Sequence, residues 1–255
     1  MFKNDIRQFI VVVGVVAVLL INGFANALPL NGLTTGEISD RFQVFFVPAG
    51  YVFAIWGVIY LGLILYAFYH ILPRNQNNPR LKNADILFGL SCVANVVWLI
   101  LWHFLQFPLT ILAMIALLLS LVGVYLLLGI GRSQVSSAEQ WLVRVPFSVY
   151  LGWVSVATIA NVTSVLDYLQ WGGWGIAPQA WAIIMLVIGA VLAVAVGLTR
   201  ADLAFMLVFI WAFIGIAVKQ SPTPVVSFTA WITAAILLLV ATWLAIDRFR
   251  KKGYS

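Results

Sequence analysis

Eight long apolar runs divide the chain, at residues 7–28, 48–72, 84–105, 108–130, 143–166, 179–199, 203–218 and 225–246. Short polar segments separate them. A hydrocarbon core about 30 Å thick takes about 20 apolar residues per helical crossing. In lipid the backbone must satisfy its own hydrogen bonds within each segment, which for isolated apolar runs of this length means helix. The pattern therefore predicts an all-α membrane protein, a polytopic helical bundle of about eight transmembrane helices. Gln106, Phe107 and Pro108 leave room only for a tight turn, so the third and fourth spans are expected to form an antiparallel hairpin. Two outer connections are longer, at 29–47 and 167–178, and long loops in compact proteins tend to be functional. The tryptophans of the second, Trp171 and Trp174, also suit the commoner role of interfacial anchors.

Charge orients this bundle. Threaded through the membrane eight times, the chain places every lysine and arginine on one face except Arg41 and Lys219. The positive-inside rule then puts both termini in the cytoplasm, with a plasma (inner) membrane as the expected location. Charged residues are only 9% of the sequence, which leaves no room for a separate soluble domain. The net charge of +6 is loop charge facing an anionic leaflet, with no continuous basic face for nucleic acid. The lone cysteine, Cys92, has no intramolecular disulfide partner. Ala25-Asn26-Ala27 after a basic, apolar start resembles a signal-peptide cleavage site. The run is long for such a signal, and Asn22 and Asn26 suit a packed helix, so an uncleaved first span is the expectation.

The acidic residues Asp5, Glu37, Asp40, Asp85, Glu139, Asp167, Asp202 and Asp247 all fall in loops, tails or close to the predicted span ends. Ionisable groups at span centres mark proton relays and ion pathways, so this distribution argues against a pump. It also argues against an enzyme, since intramembrane hydrolysis needs an acid–base pair or a metal cluster. His70 and His103 sit near opposite membrane faces and cannot share a metal. Each is expected to be solvated by headgroups. Either alone has the chemistry of a haem axial ligand, with His103 favoured because it lies on the side of the long 29–47 loop.

Three spans carry aromatic and amide residues at helical spacing. Phe53, Trp56 and Tyr60 share one face of the second span; Asn95, Trp98 and Trp102 share one of the third; Trp153, Ala157 and Asn161 share one of the fifth. Ala157, small between two larger neighbours, leaves a gap for a flat guest. Converging faces would form an aromatic pocket with a few orienting amides. The same residues would also make a packing seam between helices, and spacing alone leaves both readings open.

The motifs also carry a resemblance. The segment from Phe45 to Tyr60, FFVPAGYVFAIWGVIY, resembles the Pro-x-Gly-x-Val-Phe…Trp-x-x-x-Tyr signature of the tryptophan-rich sensory protein family, also called the translocator or peripheral benzodiazepine receptor family. Asn95-Val96-Val97-Trp98 is similar to that family's Asn-x-x-Trp, and the run from Trp153 to Asn161 to its Trp-Val-Ser-x-Ala-Thr-x-x-Asn. The resemblance covers the first five spans. It departs in the spacing of Phe53 to Trp56, in the position of Pro146 and in the three spans after Gln179. It implies a five-helix bundle at 1–168, extended at 169–255 by three helices and a basic tail, with a pocket under the loop joining the first two helices. By resemblance, Trp56, Tyr60, Asn95, Trp98, Trp153, Ala157 and Asn161 would line that pocket, joined by Phe53 from the spacing above. Family members bind porphyrins, sterols and benzodiazepine-type drugs, so a flat lipophile is the expected ligand, with porphyrin or haem as a candidate and no resident cofactor required. A light-dependent porphyrin breakdown has also been proposed for the family. A facilitator of small lipophilic solutes and a purely structural membrane partner are the competing functions. Small residues Gly189, Ala193 and Gly197 form a stripe suited to a homodimer seam or to packing within the subunit.

Overall fold

The computed structural model describes residues 2–27 and 30–253. Leu28 and Pro29, the expected junction of the first span with the outer loop, lie outside the described residues, as does the side chain of Asn26. Among the described residues the chain is helical without strands. Helix α1 spans Phe2–Ala27, a short lid helix α2 Thr35–Ser39, and α3 Ile55–Ile71, which a 3-10 segment Gly50–Ala54 leads into. Helix α4 spans Pro79–His103 and α5 Phe107–Leu127. A single turn α6 (Ser137–Glu139) passes through a π-helical stretch, Gln140–Arg144, into α7 (Val145–Tyr168). Helices α8 (Pro178–Arg200), α9 (Leu203–Lys219) and α10 (Pro224–Gly253) complete the chain.

Seven of these segments are long and apolar enough to cross a membrane. The eighth expected span, α9, has 17 residues, about 25 Å at 1.5 Å per residue. Its surroundings account for the shortness. It packs against α7, α8 and α10 and buries Phe205, Phe209, Phe213 and Ile216. A helix enclosed by neighbours does not have to match the lipid thickness by itself. The stripe Gly189, Ala193 and Gly197 packs here too. Gly189 faces the Phe209 and Phe213 rings, Gly197 faces Met206, and Ala193 is fully buried. The small residues thus admit α9 within the subunit and are covered.

Helix α4 packs on α1 and α5, α5 on α7, and α3 on α7, so the five helices α1, α3, α4, α5 and α7 enclose one interior. The same buried apolar cluster continues into α8, α9 and α10. On the basic face polar clamps hold the turns. Arg80 makes a paired contact to Glu139, Nε to Oε1 and Nη2 to Oε2, both 3.1 Å. Arg144 donates to the carbonyls of Leu128 and Ser133, and Arg7 donates to the Lys82 carbonyl. Asp202 accepts from Tyr125 (2.8 Å) and Ser148 (2.6 Å) and caps α9 at the Phe205 amide.

One expectation is corrected: Asp85 lies inside α4 and not near a span end, while Glu139 and Asp202 keep their places at helix ends, and all three are buried. For Asp85 the reason is the helix start. The Asn78 side chain accepts from the Arg80 amide and Pro79 occupies the first turn, so α4 begins well before residue 84. Leu81, Ala84, Asp85 and Phe88 then share the inward face.

The turn between α5 and α6 meets the turn between α8 and α9 at Gly131. Its φ is +73°, and a Cβ there would lie 2.1 Å from the Arg200 carbonyl oxygen. Both conditions exclude a side chain. Gly131→Ala is therefore expected to destabilise the protein by about 1–3 kcal/mol. Thermal unfolding of the detergent-solubilised protein, followed by tryptophan fluorescence, would show a lowered midpoint.

Candidate functional site

The first half of the chain converges under α2. Thr34 caps this lid helix: its hydroxyl accepts from the Glu37 amide, while Glu37 Oε2 accepts from the Thr34 amide (2.7 Å) and hydroxyl (2.8 Å). The capping box turns Thr35 and Ser39 down into the bundle, where both are buried. Thr35 is held from below. Its hydroxyl lies 3.1 Å from His103 Nε2, and its carbonyl accepts from Trp102 Nε1 at 3.3 Å. His103 Nδ1 lies 3.1 Å from the Leu30 carbonyl. A carbonyl can only accept, so Nδ1 carries the proton there. A neutral ring then leaves Nε2 to accept from Thr35. Asn31 closes the latch by donating to the His103 carbonyl. His103 is thus fully buried and committed at both nitrogens, where headgroup solvation was expected.

Below the lid lie two adjoining chambers. The wider, about 260 Å³, is lined by Asn22, Thr35, Gly36, Phe53, Trp56, Tyr60, Trp98 and Leu99. The narrower, about 40 Å³, shares Thr35, Phe53, Trp56 and Trp98 and extends toward Trp153, Ala157, Asn161 and Ser164. Aromatic contacts fix the walls. Trp56 stacks on Tyr60 with centroids 5.7 Å apart and meets Trp153 edge-on at 6.2 Å. Phe53 meets Trp153 at 5.8 Å, and Trp98 stacks on Trp102 at 5.7 Å.

Seven of the eight residues singled out in the sequence, all but Asn95, line these chambers. Asn95 stands one layer behind, fully buried, where its carbonyl accepts from Asn22 Nδ2 at 2.9 Å. Asn161 donates to the Thr110 hydroxyl at 2.9 Å. Both amides therefore found one helix partner each, and each keeps one buried polar atom without a partner among the described residues, Asn95 Nδ2 and Asn161 Oδ1. Trp98 Nε1, Trp153 Nε1, Asn161 Oδ1 and Ser164 Oγ are buried with no hydrogen-bond partner among the described residues. All four belong to residues of the same wall.

Sequence reasoning missed the lid residues Thr35 and Ser39, and Ala160 and Ser164 on α7. Signals for both were present. Thr34-Thr35-Gly36-Glu37 has the capping-box pattern, and Ala160 and Ser164 each follow a named wall residue by three. Trp171 and Trp174 of the second long loop stand apart. They form a cluster with Trp181, and Trp174 is 80% exposed, which fits an interfacial anchor.

A family model described as TSPO-like protein matches residues 8–243. The chain belongs to the TSPO-like family. Neither the curated proteins nor the solved structures contain a match to it. The TSPO-like match runs through α8, α9 and most of α10, past the five spans that carry the recognisable motifs. The added helices also reach the site of this TSPO-like protein. The Gly215 carbonyl accepts from the Ala49 amide at 3.1 Å, Trp211 Nε1 donates to the Val52 carbonyl at 3.1 Å, and Lys219 pairs with Asp40 beside the lid at 2.6 Å. Helix α9 thus braces both ends of the segment from Asp40 to Val52.

The two hydrogen bonds from Thr34 hold the Glu37 carboxyl below its ordinary value. A group depressed in the folded state favours folding above its unfolded pKa, and that contribution is lost as pH falls through the folded value. Amide protection across Thr35–Ser39, after correction for the intrinsic pH dependence of exchange, is therefore expected to fall as the pH drops below the carboxylate range. Glu37→Gln should exchange faster at neutral pH and lose most of that dependence.

Proposed function

We propose that this TSPO-like membrane protein binds a flat lipophilic ligand, tetrapyrrole- or sterol-like, beneath the α2 lid and acts in sensing or handling it. The observation that carries the reading is the set of four polar atoms without protein partners around one aromatic chamber. A buried donor or acceptor left unmade costs about 1–3 kcal/mol. Two indole N–H groups, an amide oxygen and a hydroxyl on one wall are a standing demand for a guest or for water. Stacked and edge-on rings supply the apolar contact for a planar body, and the polar atoms would orient its edges.

The wall favours the uncharged, sterol-like end of this range. Its lining residues include no lysine, arginine or histidine. An ionised carboxylate placed there would be desolvated without a cationic partner, which is costly. The chamber volumes also favour a compact guest, since a macrocycle would have to lift the lid. The positive-inside pattern supports cytoplasmic termini, with the lid on the opposite face.

The test is titration of the purified protein with a fluorescent sterol and, separately, with protoporphyrin, read by tryptophan quenching. Trp153→Ala combined with Asn161→Ala is expected to weaken sterol binding about tenfold or more, equivalent to about 1.4 kcal/mol. Ala157→Phe should abolish binding by filling the gap on α7. Unchanged affinity in both variants would refute the site.

A further inference from the structure

The bundle holds a second polar centre that the cavity does not use. His70 lies in the last turn of α3 and Asp85 in the second turn of α4. His70 Nε2 is 2.7 Å from Asp85 Oδ1, and the two residues are 4% and 0% exposed. The sequence placed His70 among headgroups and Asp85 at a helix end. The structure encloses both in aromatic walls. Tyr66 meets His70 edge-on, and Tyr66, Phe88 and Phe147 pack mutually around the pair.

A carboxylate inside apolar surroundings needs a compensating partner, and ionisable groups in such places tend to be functional. Here the compensation is lopsided. Nε2 is bonded to Asp85, while Nδ1 is buried with no hydrogen-bond partner among the described residues. A purely structural imidazole would have both edges satisfied, as His103 does. The open edge can take or release one proton while Nε2–H continues to donate to Asp85. With the proton the pair is neutral overall; without it the pair carries one negative charge. In a low-dielectric interior that difference is strongly felt by the groups around it.

Few other ionisable groups face the centre. From α3 there is the Tyr66 hydroxyl, which faces Asp85, and from α4 there is Cys92, beyond Tyr66. Helix α7 contributes the Phe147 ring. Arg7 of α1 is turned to the Lys82 carbonyl, and Arg144, in the π-helical stretch beside α3, is turned to the carbonyls of Leu128 and Ser133.

The position gives such a proton mechanical reach. This side-chain hydrogen bond joins α3 directly to α4. The two helices are linked by residues 72–78, so the pair ties their near ends; beyond it α3 packs on α1 and α7, and α4 on α1 and α5. Their far ends carry Trp56 and Tyr60 on α3 and Trp98 and Leu99 on α4, all lining the wider chamber. Tyr60 is ten residues from His70 and Trp98 thirteen from Asp85, about 15 and 20 Å along their helices.

We propose that His70 and Asp85 form an intramembrane proton-binding site whose occupancy sets how α3 and α4 are held together at this end, and through it the affinity of the cavity for its guest. The proton site stands on the pair itself; the coupling rests on the ligand-binding reading above.

The full-length protein in lipid nanodiscs, labelled with 15N-histidine, separates the two. The chain has only two histidines, so His103→Gln, or His70→Gln if that variant does not fold, assigns the signals. His70 is expected to change protonation state over the pH range in which the protein stays folded, and Asp85→Asn to alter where it does so. Affinity for a fluorescent sterol should change about fivefold or more with the same midpoint in the parent, and follow the altered midpoint in Asp85→Asn. A His70 that keeps one protonation state across this range overturns the proton site, even if Asp85→Asn fails to fold. A titrating His70 with pH-independent sterol affinity overturns the coupling. Absence of sterol binding at every pH removes the ligand reading and the coupling together, while the nitrogen spectra still decide the proton site.

Discussion

In hydrocarbon, apolar side chains gain nothing by leaving lipid for one another, so helices are held in register by close packing and by the partners their polar groups must find. That requirement organises this protein. Asn22 with Asn95 joins α1 to α4, Asn161 with Thr110 joins α7 to α5, and His70 with Asp85 joins α3 to α4. Asp202, accepting from Tyr125 and Ser148, ties α5 and α7 to the start of α9. Each is a link between different helices made by very few polar atoms. Around the narrower chamber Trp98, Trp153, Asn161 and Ser164 each keep a buried polar atom without a partner among the described residues.

The helical spans were legible because an apolar run of crossing length has few alternatives. The faces of α3, α4 and α7 were legible because aromatic and amide residues recur at three and four residues, and eight of the nine residues named from that spacing, all but Asn95, meet around the chambers. Asn95 shows the limit. Its spacing is right, but whether an amide looks into a hollow or across to another helix depends on where Asn22 sits, and nothing in the order of residues fixes that distance. Asp85 shows another limit. Hydropathy averages hide a helix start when its first turns are polar, so a residue deep in α4 read as terminal. His70 and His103 failed for the same reason. Each lies near a span end, and only the packing of α4 and the lid reveals that both are enclosed.

The two histidines illustrate how similar positions acquire different roles. His103 has both ring nitrogens engaged by the lid, through Leu30 and Thr35, and so behaves as a fixed joint. His70 has one nitrogen engaged and one bare. The contrast rests on a single hydrogen-bond partner, and it separates a residue that holds shape from one with chemistry left over.

Helix α9 gives the molecule an architecture that a five-span relative lacks. Through Gly215, Trp211 and Lys219 it grips the stretch that leads from the lid down to the aromatic wall. In a bundle ending after α7, that stretch would keep its contacts to α4, α5 and α7, through Phe42 on Trp102 and Phe107 and the Gln43 amide on Asp167, but lose these three. Here the roof is bolted to a beam that arrives from the far end of the chain. A displacement of α9 would therefore be passed directly to the segment between the lid and the aromatic wall.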